Sequence, residues 1–449
     1  MGSSRLEYTL GNHGSENFRG DDIMESATKS FQKGEIPGII AIDEATCKGC
    51  DSCKRHCPTG AITGMFGAVH RIDADRCINC GQCLVSCPFG APFETVDAVE
   101  TVLTRLNNKD VAVVGIIAPA VRVAIGEEFG LPAGTLATAR MYGAMEKAGF
   151  KILDNNLAAD LTIMEEGTEL LHRIQGELSG GEAPEEGHGP LPQFTSCCPA
   201  WVRYVELNHP ALIPHLSSAK SPQQMAGALA KTYGAQKIWG VEPGKVFTVG
   251  IMPCTAKKFE ASRPEFISAY HHLAAGGGTY SGEAFPDVDA VLTTRDLARL
   301  LKKMGIDLAK EPGSAGDSVM AEYSGAGTIF GNTGGVMEAA LRTVHAVITG
   351  TEMEPLEYRD VRGLKGVKSA SVNLIDAKTG KALQVNVAVV HGLKENIGAI
   401  VDEVLSGRSP YHFIEVMNCP GGCINGGGQP VHPEGSGWMS AIAPLFAWR

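Results

Sequence analysis

Thirteen cysteines dominate the chemistry available to this chain, and all of them fall in motifs suited to holding metal. Eight lie in two matching runs, Cys47-x2-Cys50-x2-Cys53-x3-Cys57-Pro58 and Cys77-x2-Cys80-x2-Cys83-x3-Cys87-Pro88. Three thiolates on one tight loop can cap three corners of an iron–sulfur cubane, and the fourth ligand then comes from the other run. On that pattern Cys47, Cys50, Cys53 and Cys87 hold one [4Fe–4S] cluster, and Cys57, Cys77, Cys80 and Cys83 hold a second. Soft thiolates suit iron–sulfur iron. A structural zinc site would use one or two CxxC pairs, not two full runs that each end in proline. Two clusters in so short a segment make a wire for single electrons, and a wire implies a redox centre at its far end.

The other five cysteines sit in three distant motifs. These are Thr195-Ser196-Cys197-Cys198-Pro199-Ala200-Trp201, Met252-Pro253-Cys254-Thr255-Ala256-Lys257, and Met417-Asn418-Cys419-Pro420-Gly421-Gly422-Cys423. Four thiolates would hold a third cubane and leave one thiol spare. The glycines after Cys423 allow backbone to approach a bulky cofactor closely. Met252 and Met417 each precede a cysteine by two residues and offer soft packing. Lys257 offers an ammonium donor to an anionic ligand. Two of the motifs follow apolar, strand-like runs, which places them at strand ends, where parallel α/β sheets bind ligands.

The elements needed to bring these motifs together are readable in outline. Strand-like runs at 111–118, 245–252, 290–293 and 385–390 alternate with helix-like runs at 135–149, 222–237, 295–304 and 335–348. Such alternation predicts an α/β architecture with parallel sheets. A helix is expected over 95–108, and surface loops over 177–190, 272–286 and 311–327. Three parts follow: an N-terminal arm over 1–40, a compact cysteine-rich unit over 41–95, and a larger unit over 96–449.

The net charge of −11 argues against nucleic acid and acidic membrane surfaces as partners. No apolar run reaches the roughly 18 residues of a membrane span. The N-terminus has no signal-peptide pattern. The chain is therefore expected in the cytoplasm if it acts alone, or in the periplasm if a partner carries it out.

The eight-cysteine unit resembles bacterial two-cluster ferredoxins. The three later motifs, in their order and spacing, resemble the signature segments of the iron-only ([FeFe]) hydrogenases, over about residues 41–430. The resemblance implies a two-lobed catalytic domain with parallel sheets flanked by helices, preceded by a small α+β ferredoxin-like domain. It implies reversible H2 oxidation and proton reduction at an H-cluster, a cubane joined to a diiron unit with CO, CN and azadithiolate ligands. By resemblance Cys198, Cys254, Cys419 and Cys423 hold that cubane, and Cys423 bridges to the diiron unit. Cys197 takes the proton-relay role, continued by Glu166, Ser217, Glu169 and Arg173. An ordinary thiol pKa of about 8.5 suits that exchange. Lys257 matches a residue that hydrogen-bonds cyanide. Ala118, Pro119, Pro222 and Gln223 match residues lining the diatomic ligands, and Met252 and Met417 match methionines packed on the diiron unit. Ala120 departs from a serine that donates to cyanide in some members. The chain ends soon after Gln429-Pro430, where single-chain members continue with a belt-like tail, so a separate small subunit is expected. An external ferredoxin, flavodoxin or multihaem cytochrome is the expected electron partner. The alternatives are a hydrogen sensor or an iron–sulfur assembly relative without high turnover; retention of Cys197 and Lys257 opposes the latter.

Overall fold

The computed structural model describes residues 38–178, 189–275, 280–316, 319–353, 359–360, 366–375 and 382–431. Nearly all of the expected N-terminal arm and of the 177–190 loop lies outside the described residues. The cysteine-rich unit contains two small antiparallel sheets, β1 (Ile40–Ile42) with β4 (Pro92–Glu94), and β2 (Ile62–Thr63) with β3 (Arg71–Ile72). Two one-turn helices, Ser52–His56 and Gln82–Ser86, repeat its internal symmetry.

Beyond it stand two larger sheets. The first is wholly parallel: β5 (Ala112–Ile117), β6 (Lys151–Asp154), β8 (Val246–Met252) and β9 (Ala290–Thr293), ordered β6-β5-β8-β9. Its strands are near-continuous apolar runs because helices cover both faces. Val114, Ile116, Ile152, Val249, Ile251 and Leu292 form the centre of this core. The second sheet is ordered β10-β11-β12-β13-β7, from β7 (Gln193–Phe194), β10 (Arg359–Asp360), β11 (Val367–Ile375), β12 (Ala382–His391) and β13 (Phe413–Met417). Only β12-β13 and β13-β7 are parallel; β10, β11 and β12 run antiparallel. The second sheet is thus mixed, whereas the first is the parallel sheet flanked by helices that was expected. β11 alternates buried and exposed residues along its length, as a strand with one open face does.

Helices follow the expected runs with physical adjustments at their ends. The helix expected over 95–108 spans Val99–Leu106, because Asp97 accepts the Val99 N–H at 3.0 Å and turns the chain first. Thr138–Ala148 ends at Gly149, in a left-handed conformation at φ 103°. The run over 222–237 is α-helical only to Leu229 and continues as a π-helix over Ala230–Trp239. Two expected loops begin or end in helix, Ser268–Ala275 and Gly325–Ile329.

One long helix, Asn155–Leu178, was legible only as the face pairing Glu166 with Glu169. Asp154, the last residue of β6, accepts the Asn156 N–H at 2.9 Å and caps its start. Asp154 is itself held by Arg122 at 2.9 and 3.1 Å and by the Tyr142 hydroxyl.

Candidate active site

The strand ends assemble the site. Met252 closes β8 and Met417 closes β13, so Cys254 and Cys419 each sit two residues past a parallel strand, in different sheets. Cys197 and Cys198 follow β7, and Pro199–Asn208 continues as a helix whose Trp201 packs on Phe194 at 5.3 Å between ring centroids. Cys423 begins a short 3-10 turn.

Four of these cysteines crowd one another. Burial pushes the Cys254 thiol up to about 12, and Cys198 adds to it. Burial does the same to Cys423, again to about 12, with Cys198 and Cys254 as its nearest like charges. Cys419, driven up by burial, has Cys254, Cys198 and Cys423 around it. Buried thiols held this high ionise only when a cation compensates, which is how thiolates meet iron. The donor set fits a cubane.

In the cysteine-rich unit the loops coil through left-handed residues at matching places: Gly49 and Asp51 in one repeat, Asn79 and Gly81 in the other. Burial raises Cys53 to about 11, and the cysteines that add to it are Cys87, Cys47 and Cys50. Cys83, raised by burial, has Cys80, Cys77 and Cys57 around it, and more weakly Cys53. The structure thus groups the eight cysteines in the crossed sets expected from the spacing.

The second repeat packs against the segments that carry the later cysteine motifs. Gln82 Nε2 donates to Cys419 Sγ at 3.3 Å and to the Asn425 carbonyl at 2.9 Å. Thr255 Oγ1 donates to the Asn79 carbonyl at 2.7 Å, and Arg203 Nε to that of Cys77 at 2.9 Å. Gly81 meets Gly427 so closely that a Cβ on Gly81 would lie 2.9 Å from the Gly427 Cα, and one on Gly427 would lie 2.5 Å from the Gly81 Cα. Only glycine fits on either side.

A cavity opens beside the four cysteines. Its walls include Ala118, Pro119, Pro222, Gln223, Met252, Met417, Cys197 and Lys257, all expected there, together with Asn155, Phe330 and Asn418, which were not. Lys257 Nζ donates to the Cys197 carbonyl at 3.1 Å and pairs with the Glu260 carboxylate at 3.0 Å. Burial is the largest influence and works against its charge, but Glu260, with Cys254 and Cys197, raises its pKa overall. Glu260 also accepts from Ser221 Oγ at 2.9 Å and Gln223 Nε2 at 3.1 Å. Its position three residues after Lys257 on one helix was the signal that could have found it. The mostly apolar walls, soft methionines and single ammonium suit a neutral-to-anionic organometallic unit beside the cubane.

The remaining expected residues lie behind the cavity, on a path that leads away from it. Cys197 is buried, and burial, followed by Glu166, pushes its thiol well above the ordinary value. That differs from the expected near-neutral thiol. Next to it Glu166 is raised by burial and then by Glu169 to about 8. Among the described residues no donor meets hydrogen-bond geometry at either Glu166 oxygen. Nevertheless, the Ser196 N–H and the Ser217 hydroxyl lie close enough to offset part of the burial effect. Ser217 Oγ donates to Glu169 Oε2 at 2.6 Å. Glu169 Oε1 accepts from Arg173 Nη2 at 2.6 Å, and the Ser218 N–H reaches both of its oxygens at 3.0 and 3.2 Å. Arg173 also donates to the carbonyls of Pro190 and Leu216, each at 2.9 Å. A second buried acid, Glu415, escaped the sequence reading. It accepts the N–H groups of Gly334 and Met337 at 2.7 and 2.9 Å, and burial raises it to about 7.

Comparison with known proteins agrees with this geometry. Residues 111–427 match the iron only hydrogenase large subunit, C-terminal domain, and residues 39–88 match the 4Fe-4S dicluster domain. The periplasmic [Fe] hydrogenase large subunit of Nitratidesulfovibrio vulgaris is 47% identical over 397 residues, covering 88% of this chain and 87% of that one. Iron hydrogenase 1 of Clostridium pasteurianum is 46% identical over 338 residues, covering 75% of this chain and 53% of that one. A solved [FeFe]-hydrogenase from Chlamydomonas reinhardtii superposes with a TM-score of 0.64 at 36% identity, over 75% of this chain and 85% of that one. The chain belongs to the iron-only hydrogenases, with two ferredoxin-type [4Fe–4S] clusters and an H-cluster as its cofactors, and it interconverts H2 with protons and electrons.

Proposed function

We propose that protons reach and leave the cavity through Cys197, Glu166, Ser217, Glu169 and Arg173, in that order, while electrons arrive through the two crossed cysteine sets. The observation that carries the proton path is Ser217, whose hydroxyl donates to Glu169 at 2.6 Å and also lowers the pKa of the buried Glu166, so that it stands between the two carboxylates. Turning from one carboxylate to the other passes a proton along. The diiron unit, when bound, supplies the iron and the bridging amine at which the H–H bond is made or broken. Cys198, Cys254, Cys419 and Cys423 would hold the cubane. Lys257, steered by Glu260, presents its ammonium to the cavity. Ala118, Pro119, Pro222, Gln223, Met252 and Met417 exclude water. The domain division is one ferredoxin-like unit over 41–95 and a two-lobed catalytic unit over 96–449, preceded by the arm. Contacts from the second repeat to the lobes support an order in which the Cys57/Cys77/Cys80/Cys83 cluster stands nearer the cavity.

The path is tested by H2 evolution from reduced viologen across pH. The chain carries its cubanes and is given a synthetic diiron dithiolate-amine complex. Glu166 is raised above the usual carboxylate value of 4.5, so the folded protein favours its protonated form. Its stabilising contribution is complete below that value and is lost as pH rises through about 8. Evolution is therefore expected to decline through about pH 8, and E166Q to be slower and lack that inflection. The same inflection in E166Q would rule Glu166 out as the titrating carrier.

A separate small subunit and a periplasmic setting form the finer part of the reading. They are supported by a relative that is named both periplasmic and a large subunit. Among the described residues no helix is long and apolar enough to cross a membrane. Enzyme isolated from its native source is expected to carry a second, smaller polypeptide in equal amount. Isolation as the 47.3 kDa chain alone removes the partner, and with it the export route.

A further inference from the structure

One polar side chain of the cavity wall has no work inside the protein. Asn155 is only 7% exposed and lines the cavity with Ala118, Pro119 and Ala120. The β5–β6 register pairs Ile117 with Asp154, so Ala118 and Asn155 leave neighbouring parallel strands side by side. The Asn155 amide oxygen is buried without a hydrogen-bond partner, and the amide nitrogen makes no bond seen among the described residues. Helix capping does not occupy the side chain, because Asp154 already caps the helix that starts here. Gln223 and Asn418 also have amide oxygens without a partner among the described residues, and differ only in that their NH2 groups are committed inside the protein. Gln223 Nε2 is committed to Glu260 and to the Lys257 carbonyl, and Asn418 Nδ2 faces Cys419 Sγ at 3.6 Å. Burying an amide oxygen without a partner costs about 1–3 kcal/mol, and a half-turn of the amide exchanges its oxygen and NH2, so the buried position facing the cavity serves a donor to an accepting ligand. Ala118, Pro119 and Ala120 offer no side-chain donor on that wall.

We propose that Asn155 is a positioning residue for the diiron unit, its amide N–H groups donating to an anionic diatomic ligand, a cyanide, held against the Ala118–Ala120 wall. A cyanide nitrogen accepts hydrogen bonds and an amide NH2 has two protons to give. The bond fixes the rotation of the unit in its pocket and draws electron density through the ligand from the iron. The proposal rests on the H-cluster occupying this cavity, and is independent of the proton path.

Infrared spectra of the chain, loaded with cubanes and the synthetic diiron complex, test it. N155A is expected to move one cyanide stretching band by several wavenumbers and leave the cubane's electron-spin signal unchanged. N155T, which keeps a donor on a side chain one bond shorter, is expected to return the band in part. Bands that superimpose on wild type in N155A overturn the proposal. If N155A binds the diiron unit more weakly at an unchanged melting temperature, the proposal stands, read as affinity. If N155A melts earlier, loses the unit, and N155T does the same, the role is structural and the proposal falls. A wild-type chain that shows no diatomic bands would count against the cavity's occupant rather than against Asn155.

Discussion

Replacing Cys197 with alanine lowers H2 turnover by about 10²–10⁴-fold, the range that a positioned proton donor contributes. Iron content, cubane signals and diatomic infrared bands stay as in wild type. The size of the effect follows from what else lines the cavity. Lys257 is the other ionisable group there outside the cubane cysteines, and it is tied to Glu260 and to the Cys197 carbonyl. The Cys197 thiol is buried and kept protonated, so it carries a proton without carrying a charge. Alanine leaves a gap one sulfur wide with no group to bridge it to Glu166. Near-normal turnover in this variant would dissolve the relay at its first step.

Glu169 carries the second large effect, and two variants separate its two roles. E169A removes the acceptor of the Ser217 hydroxyl, the Ser218 N–H and the Arg173 guanidinium together. Breaking a buried pair of this kind costs about 3–5 kcal/mol. The lower end is expected, because Arg173 keeps backbone carbonyls as partners. E169Q preserves the shape and much of that stability but cannot pass a proton. Its turnover is expected to fall by about 10²-fold or more, with a solvent isotope effect larger than wild type because proton delivery becomes limiting. An E169Q enzyme with wild-type turnover and isotope effect would place the proton exit elsewhere, with Glu415 the next buried acid to examine.

The parts of this site that were legible in the sequence are those that chemistry confines to short spans. Cluster cysteines must be spaced for one loop to serve one cubane, so the crossed sets could be read from Cys47 to Cys87. The parallel sheet was legible because β5 and β8 are buried on both faces and read as unbroken apolar runs. The β11–β12 pair was not: its strands have one open face, so β11 alternates buried and exposed residues and gives no unbroken apolar run. Asn155, Gln82 and Glu415 escaped for another reason. Gln82 and Glu415 meet partners across a long stretch of sequence and Asn155 has none among the described residues, and an amide or a carboxylate within a motif carries no mark of what the fold will bring to it. Glu260 lay within local reach of Lys257 and could have been found. The roles of Cys197, Glu166, Glu169 and Ser217 came from resemblance; by themselves two glutamates three apart read as solvated charge, whereas in the fold both are buried.

The facing glycines Gly81 and Gly427 bear on how quickly the buried centre can be supplied. Electron tunnelling weakens steeply with each added ångström of separation, and a hinged or tethered donor spends most of its time too far away. Here main chain meets main chain, and Gln82 reaches across to a cubane cysteine. The last electron transfer before the cavity is therefore a hop of constant length, set by the covalent frame rather than by encounter. Any bottleneck in supply moves outward, to the collision between this molecule and whatever brings electrons to it.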